Sequence, residues 1–427
     1  MDFIEKTLKS IPLPKIIKIH QYFDVSHIED EKISEDIRKN VLNLSGYRNI
    51  KAGQRIAVTG GSRGIHCIQV IIKTVCDMIK EKGASPFIVP AMGSHGGATQ
   101  EGQLHMLALL GITEETMGVP IKSSMETVQI GSFDDNRPIY MDKFAHEADG
   151  IVLINRIKAH TSFKGEYESG LMKMMAIGLG KQQGAQNYHQ TGFENFSHII
   201  ESVGKKVIEL ENIVFGLGII ENGYSQISKI ACMNACDIPG QEKALLRESY
   251  EHLARPFFRD VDVMICKEIG KNISGTGCDS NISGRFNNEY FAGDIHVTRL
   301  GILELSPNSC GNANGLGLGD FITKKIFKQM DLEQMYANAL TTTAVSTVKI
   351  PMILPDDSSV FKAAVKTSCI GDFKKVRICI IENSKNMATI YISENMVEEA
   401  QAASCEICGN AIEIPFDADG NLLLDFN

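Results

Sequence analysis

The chain has 427 residues, enough for two or three α/β-sized domains with a large core. Its 22% charged and 43% hydrophobic residues are ordinary for a globular enzyme, and a net charge of −9 argues against a nucleic-acid partner. It carries neither a signal-peptide pattern nor an apolar run of membrane-spanning length, so a cytoplasmic protein with no membrane partner is expected.

The first clear strand is RIAVT (55–59), which ends in Gly60-Gly61 and passes through Arg63-Gly64-Ile65 into a helical pattern over about 66–82. A strand, a glycine turn and a helix N-terminus together form an anion site, because free N–H groups and the helix dipole point at the ligand. The string resembles the glycine fingerprint of short-chain dehydrogenases, but its last glycine is His66. The Tyr-x-x-x-Lys pair of those enzymes occurs only at Tyr47 and Lys51, ahead of the loop. The loop is therefore read as an anion-holding turn.

Further strands follow at PFIVPA (86–91), GIVLIN (150–155), NIVFGLGII (212–220) and DVMICKEI (262–269), with helical patterns over about 101–110, 194–209 and 240–254. Alternation of this kind predicts α/β layering with largely parallel sheets. Past Arg255-Pro256 the chain becomes rich in Gly and Asn, then forms a helix and the strand VRICIIEN (376–383). Two α/β domains are expected, 1–258 and 259–427, the second closing an interdomain cleft that holds the active site, with the last residues free to pack back on the first. The eleven cysteines are scattered. Cys405 and Cys408, the one close pair, lack the second pair that structural zinc needs and read as two thiols packed in a turn near Gly409.

Three histidines lie just past predicted strands or in glycine-rich loops: His95 in AMGSHGGAT, His160 in INRIKAHTSFKG and His189 in GAQNYHQTG. A single loop histidine is more often merely solvated or hydrogen-bonded, but three in such positions point to a site. His66 and His105 read as packing or surface residues. The densest segment is 158–189. There Ser169 is expected to cap the helix LMKMMAIG, leaving N–H groups for a phosphate. Lys173, set among Met and Leu, is either stretched along apolar surface or a reactive amine of depressed pKa. Lys164, Glu166 and Glu168 read as a solvated turn, with contact to a polar substrate as the other option.

The order Arg63, His95, His160, Ser169-Gly170-x-x-Lys173, His189 resembles the lactate racemase family that uses a nickel pincer nucleotide. The interval from Lys173 to His189 equals that family's interval between cofactor-bearing lysine and metal ligand. The likeness covers roughly 50–200, and the family's Asp-x-Thr-Arg-Pro stretch reads GGSRG here, which alters the substrate clamp. The resemblance implies an isomerase, a racemase or epimerase that inverts C2 of a 2-hydroxy acid by reversible hydride transfer to the cofactor. Hydride removal avoids forming a second negative charge beside the carboxylate. Lys173 would hold nickel pyridinium-3,5-bisthiocarboxylic acid mononucleotide through a thioamide, with Ser169 and Gly170 beside it, and His189 would bind the nickel. His95 and His160 would be the acid–base pair, and Arg63 would clamp the substrate carboxylate or a cofactor phosphate. Lys271 or Arg285 would reach the cofactor from the second domain. The partners implied are a small-molecule 2-hydroxy acid and the enzymes that make the cofactor, with a homo-oligomer allowed. Three other readings compete: an NAD(P)-dependent oxidoreductase using the GGSRG loop, a non-catalytic binding homologue, and a hydrolytic metal site of the three histidines, for which H-E-x-x-H spacing is missing.

Overall fold

The computed structural model describes residues 2–134 and 136–426. The chain divides into two compact units, one of Val25–Leu253 with Thr341–Thr343, the other of Met1–Asp24, Ala254–Leu340 and Ala344–Asn427. Among the described residues no helix is long and apolar enough to cross a membrane.

The unit containing Val25–Leu253 is built on a five-stranded sheet in the order Ser85–Pro90, Arg55–Gly60, Gly150–Arg156, Ile213–Glu221, Ile227–Asn234. The first four strands are parallel and the last is antiparallel. These parallel strands are covered on both faces, so they read in sequence as nearly unbroken apolar runs rather than as alternation. One covering helix, Ile68–Glu81, buries Ile68, Ile71, Ile72, Val75 and Ile79, a stripe at helical spacing, in one core with Ile56, Val58, Val152 and Ile154. Each such isoleucine contributes about 1.5–3 kcal/mol of burial. From Arg55–Gly60 the chain goes to one edge of the sheet and returns on the other side at Gly150–Arg156. The strand order therefore reverses between those two strands, and in open sheets ligands gather at the carboxyl ends there. A separate antiparallel hairpin joins Thr127–Phe133 to Arg137–Asp142.

The other unit holds an eight-stranded sheet in the order Met352–Leu354, Phe321–Thr323, His296–Leu305, Asp260–Ile269, Ile378–Ile381, Thr389–Ser393, Ile16–His20, Glu406–Ile412. The first five strands are parallel and the remaining pairings are antiparallel. A division by chain order at 258/259 assigns the N-terminal residues to the first domain. Here they belong to the second unit, because Ile16–His20 pairs on both sides with strands from the C-terminal part. A five-residue run interrupted by Lys18 is too short to reveal that pairing in sequence. The Cys405/Cys408 pair differs from expectation too: Cys408 lies in the strand Glu406–Ile412, opposite Lys18, and both thiols are free.

Candidate active site

The strand Gly150–Arg156 leads into a loop that Lys158 and Ser169 close by exchanging both backbone hydrogen bonds, at 3.1 and 3.2 Å. His160 lies in that loop. Glu168 fills its centre, only 2% exposed, and accepts the His160 N–H at 2.6 Å, the Gly165 N–H at 3.3 Å and the Tyr250 hydroxyl at 2.8 Å. Burial raises the Glu168 pKa while Lys164 and these donors oppose the rise. The solvated-turn reading thus fits the exposed Glu166, which pairs with Lys243, but not Glu168, and Lys164 donates to the Tyr250 oxygen at 2.8 Å. Glu168 is a buried brace for the backbone of His160.

Lys173 ends the short helical turn Leu171–Lys173. The expected Ser169 cap does not form, since Ser169 is committed to the bridge with Lys158 and the turn begins at Gly170 without a side-chain cap of its own. The carboxylate of Glu242 takes that place: its Oε2 accepts the Leu171 N–H at 2.7 Å and the Met172 N–H at 3.1 Å, so a side chain of the protein occupies amides expected to serve a phosphate. Gly170 is required for this approach, because a Cβ there would stand 2.2 Å from Glu242 Oε1 and 2.5 Å from its Cδ. Gly170→Ala is expected to push Glu242 off both amides and to cost about 1–3 kcal/mol in urea unfolding. A variant as stable as wild type would refute the cap.

After Lys173 the chain widens into a π turn, Met174–Gly178, where an ordinary helix is expected from the sequence. Such turns are frequent at functional sites. This one delivers the Gly178 carbonyl to the Gly93 N–H at 3.1 Å, tying the lysine segment to the His95 loop. A Cβ on Gly178 would meet the Ala91 carbonyl oxygen at 2.6 Å, so the close approach needs glycine.

Lys173 Nζ lies 3.0 Å from His160 Nε2, its sole hydrogen-bond partner among the described residues. Burial, then the charges of Arg63 and Lys158, lower the lysine pKa to about 8. The His160 pKa is held well below the usual imidazole range by burial and then by Lys173, with His189, Lys158 and Lys164 adding to the effect. The His189 pKa falls to about 3, chiefly through burial and secondarily through Lys173. Its ring stacks on Phe196 with centroids 4.6 Å apart, and its Nδ1 is buried with no partner. A neutral imidazole with an unused lone pair is what a metal ion binds. The Arg63 pKa is lowered to about 10 by burial and then by Arg156, and Arg63 has no hydrogen-bond or ion-pair partner among the described residues. A half-buried guanidinium without an acceptor, near Lys173, is suited to an anionic ligand.

Arg63, His160, Lys173 and His189 are thus brought into one electropositive neighbourhood. His95 reaches the same end of the sheet on the loop after Ser85–Pro90. Its Nδ1 faces the Met92 carbonyl at 2.7 Å, which can only accept, so neutral His95 carries its proton on Nδ1 and keeps a basic lone pair on Nε2. The glycine loop is less open than expected: the His66 N–H is taken by Glu221 Oε1 at 2.7 Å, and Cys67, not a glycine, adopts the left-handed conformation before the helix. Asp30, His66 and Cys67 form the one group of three His, Cys, Asp or Glu side chains among the described residues with ligand atoms all within 4.8 Å. The three loop histidines form no such group. Lys271 and Arg285 belong to the other unit, where Lys271 Nζ donates to the Gly275 carbonyl at 3.2 Å and Arg285 Nη2 to Val297, Thr298 and Asp320 at 2.9–3.0 Å.

Sequence reading missed Glu242 and a second buried network. Lys181 is fully buried; its Nζ donates to the Pro90 carbonyl at 2.6 Å and to Gln103 Oε1 at 3.0 Å, and lies 3.1 Å from buried Asp142 Oδ2. Gln103 Nε2 in turn donates to the carbonyls of Gly93 and His95. One cation therefore fixes the His95 loop and the start of the helix Lys181–His189 together. A signal for Glu242 did exist, since it falls in the apolar stripe Ile238, Leu245, Leu246 of its helix.

Residues 7–199 match the family model described as the lactate racemase N-terminal domain. No curated protein matches the sequence. Among solved structures, the lactate racemase apoprotein from Thermoanaerobacterium thermosaccharolyticum has a similar fold, with a TM-score of 0.51 at 15% identity, over 86% of this chain and 98% of that one. The matched region spans Arg63, His95, His160, Lys173 and His189, so it is over residues 7–199 that this chain resembles a lactate racemase N-terminal domain.

Proposed function

We propose that this protein is a cytoplasmic racemase or epimerase that inverts C2 of a 2-hydroxy acid, with a nickel pincer nucleotide carried on Lys173. The observation that carries this reading is the contact of Lys173 with His160, made without any carboxylate, beside a histidine whose buried Nδ1 has no partner. That set suits the group: an amine of low pKa to be acylated, a neutral imidazole for nickel, and the unpaired Arg63 for an anion. When bound, the cofactor supplies the hydride acceptor and donor that inversion requires. His95 takes the substrate hydroxyl proton at Nε2, and His160 serves the proton on the opposite face. Arg63 holds the carboxylate so that the carbonyl formed at C2 turns while the rest of the substrate stays anchored.

The test is the intact mass and peptide map of protein purified from its own host, with the enzymes that make the cofactor present. A nucleotide-sized adduct on Lys173 and bound nickel are expected. Lys173→Ala should lack both, and His189→Ala should keep the adduct while losing the nickel. An unmodified Lys173 in protein from nickel-replete, cofactor-making cells sinks the reading. With the adduct in hand, 2-hydroxy acids are screened for inversion at C2 by chiral chromatography.

A further inference from the structure

The hydrogen bonds around His160 set a state that no residue count reveals. The Ser162 backbone N–H points at His160 Nδ1 at 3.0 Å. A backbone N–H can only donate, so Nδ1 must hold a lone pair, and neutral His160 must carry its proton on Nε2. That Nε2–H faces Lys173 Nζ at 3.0 Å, and a hydrogen bond between them requires a lone pair on Nζ. An ammonium at Nζ would confront the Nε2–H donor with a second donor.

We propose that His160, oriented by the Ser162 amide, holds Lys173 as a free amine ready for acylation, and that acylation of Nζ reverses this hydrogen bond and releases His160 from Ser162. The lowered lysine pKa, with Arg63 and Lys158 as the cations facing Nζ, supports the free-amine half independently. The chemistry of the second half follows from the nitrogen. Lys173 attacks the carbonyl or thiocarbonyl carbon of an activated acyl donor. A C–N bond forms, the bond from carbon to the leaving group breaks, and the leaving group departs with that electron pair and the proton from Nζ. Nothing is oxidised or reduced. The amide or thioamide nitrogen has delocalised its lone pair and keeps one N–H, so it has changed from acceptor to donor. His160 answers by carrying its proton on Nδ1 and accepting at Nε2. Its Nδ1–H then meets the Ser162 N–H, donor against donor, and that bond opens. Before acylation His160 is locked as a donor to the lysine. Afterwards its ring can serve as the proposed acid–base group.

This inference rests on the proposed function only for the identity of the native acyl donor, so its test uses neither nickel nor cofactor. Apoprotein labelled with ¹⁵N-histidine is treated at pH 7.5 with the N-hydroxysuccinimide ester of acetic acid. Acetylation is mapped by mass spectrometry, and histidine tautomers are read by long-range ¹H–¹⁵N correlation. His160 is assigned with His160→Gln, or, if that variant does not fold, with Phe163→Leu, whose ring centroid lies 4.1 Å from that of His160. Lys173 is expected to acetylate about tenfold faster than an exposed lysine, as a lower pKa populates the free amine near neutral pH. His160 should show the Nε2–H tautomer before acetylation and the Nδ1–H tautomer after it, with faster deuterium exchange of the Ser162 amide. An Nδ1–H tautomer in the unmodified protein, a tautomer unchanged by acetylation, or a Lys173 no faster than exposed lysines overturns the inference. The two proposals fail separately. A Lys173 adduct in cells with no tautomer change keeps the racemase reading alone, and a tautomer change without any cellular adduct keeps the hydrogen-bond reversal alone.

Discussion

Replacing Lys181 by Met is expected to destabilise the unit containing Val25–Leu253 by about 3–5 kcal/mol, because it removes one partner of a buried ion pair and leaves the other charge stranded. Both side chains of the Lys181–Asp142 pair are fully buried, with Nζ 3.1 Å from Oδ2. Burial lowers the Lys181 pKa and raises that of Asp142, each against the pull of its partner, so neither group has water to fall back on. Lys181 also sits at φ 54°, in the left-handed region, which costs a non-glycine residue about 1–2 kcal/mol. Its contacts to Pro90, Gln103 and Asp142 keep it there. Methionine preserves the length and loses all three polar contacts. Urea unfolding measures the loss, and hydrogen exchange of the Gly93 amide localises it to the His95 loop. The double variant Lys181→Met, Asp142→Asn should recover much of the stability, since asparagine can still accept the Ala145 N–H that Asp142 Oδ1 now takes at 2.9 Å. A Lys181→Met protein within 1 kcal/mol of wild type would show that the pair carries little.

The sheet of this unit was legible because strands buried on both faces leave continuous apolar runs, as in GIVLIN and NIVFGLGII. Arg63, His95, His160, Lys173 and His189 were named from loop position and resemblance, and the fold gives four of them a shared electrostatic environment. The supports around them were not legible, for reasons that lie in their chemistry. Lys181 is of a residue type almost never fully buried, so its sequence prior points to solvent. Glu168 looks like one of three charges in a polar turn, and only the bridge between Lys158 and Ser169 turns it inward. The π turn after Lys173 depends on the meeting of Gly178 with Ala91 and Gly93, about 85 residues earlier in the chain, which no local pattern encodes. Short strands such as Ile16–His20 fail for the same reason, since their partners lie near the other end of the chain.

Glu242 should give the protein a pH dependence that one substitution removes. The carboxyl is 1% exposed, its Oε1 is buried without a partner, and burial raises its pKa from 4.5 to about 7 although the Leu171 and Met172 amides pull it down. A carboxyl raised in the fold binds its proton more tightly folded than unfolded. Its contribution to stability is therefore complete below about 4.5 and is lost as pH rises through about 7. The shift corresponds to about 3 kcal/mol between those limits. Glu242→Gln keeps an acceptor for the two amides but cannot ionise, and its NH₂ group inherits the unpartnered position, at a cost of about 1–3 kcal/mol. The two stability curves should therefore converge or cross: wild type is more stable at pH 4.5, and the glutamine variant equals or exceeds it at pH 8. Urea unfolding of both proteins from pH 4.5 to 8 reads the difference directly, and histidines common to both cancel from it. A difference that stays constant with pH would place the Glu242 pKa at its ordinary value in the fold. Glu242→Ala, by contrast, strips the partner from both amides at every pH, and the turn that carries Lys173 loses its anchor whatever the protonation state. Because the amides and the carboxylate meet only where Gly170 has no side chain, the alanine variants at 170 and 242 should loosen the same turn, and their combined effect should be smaller than the sum of the two.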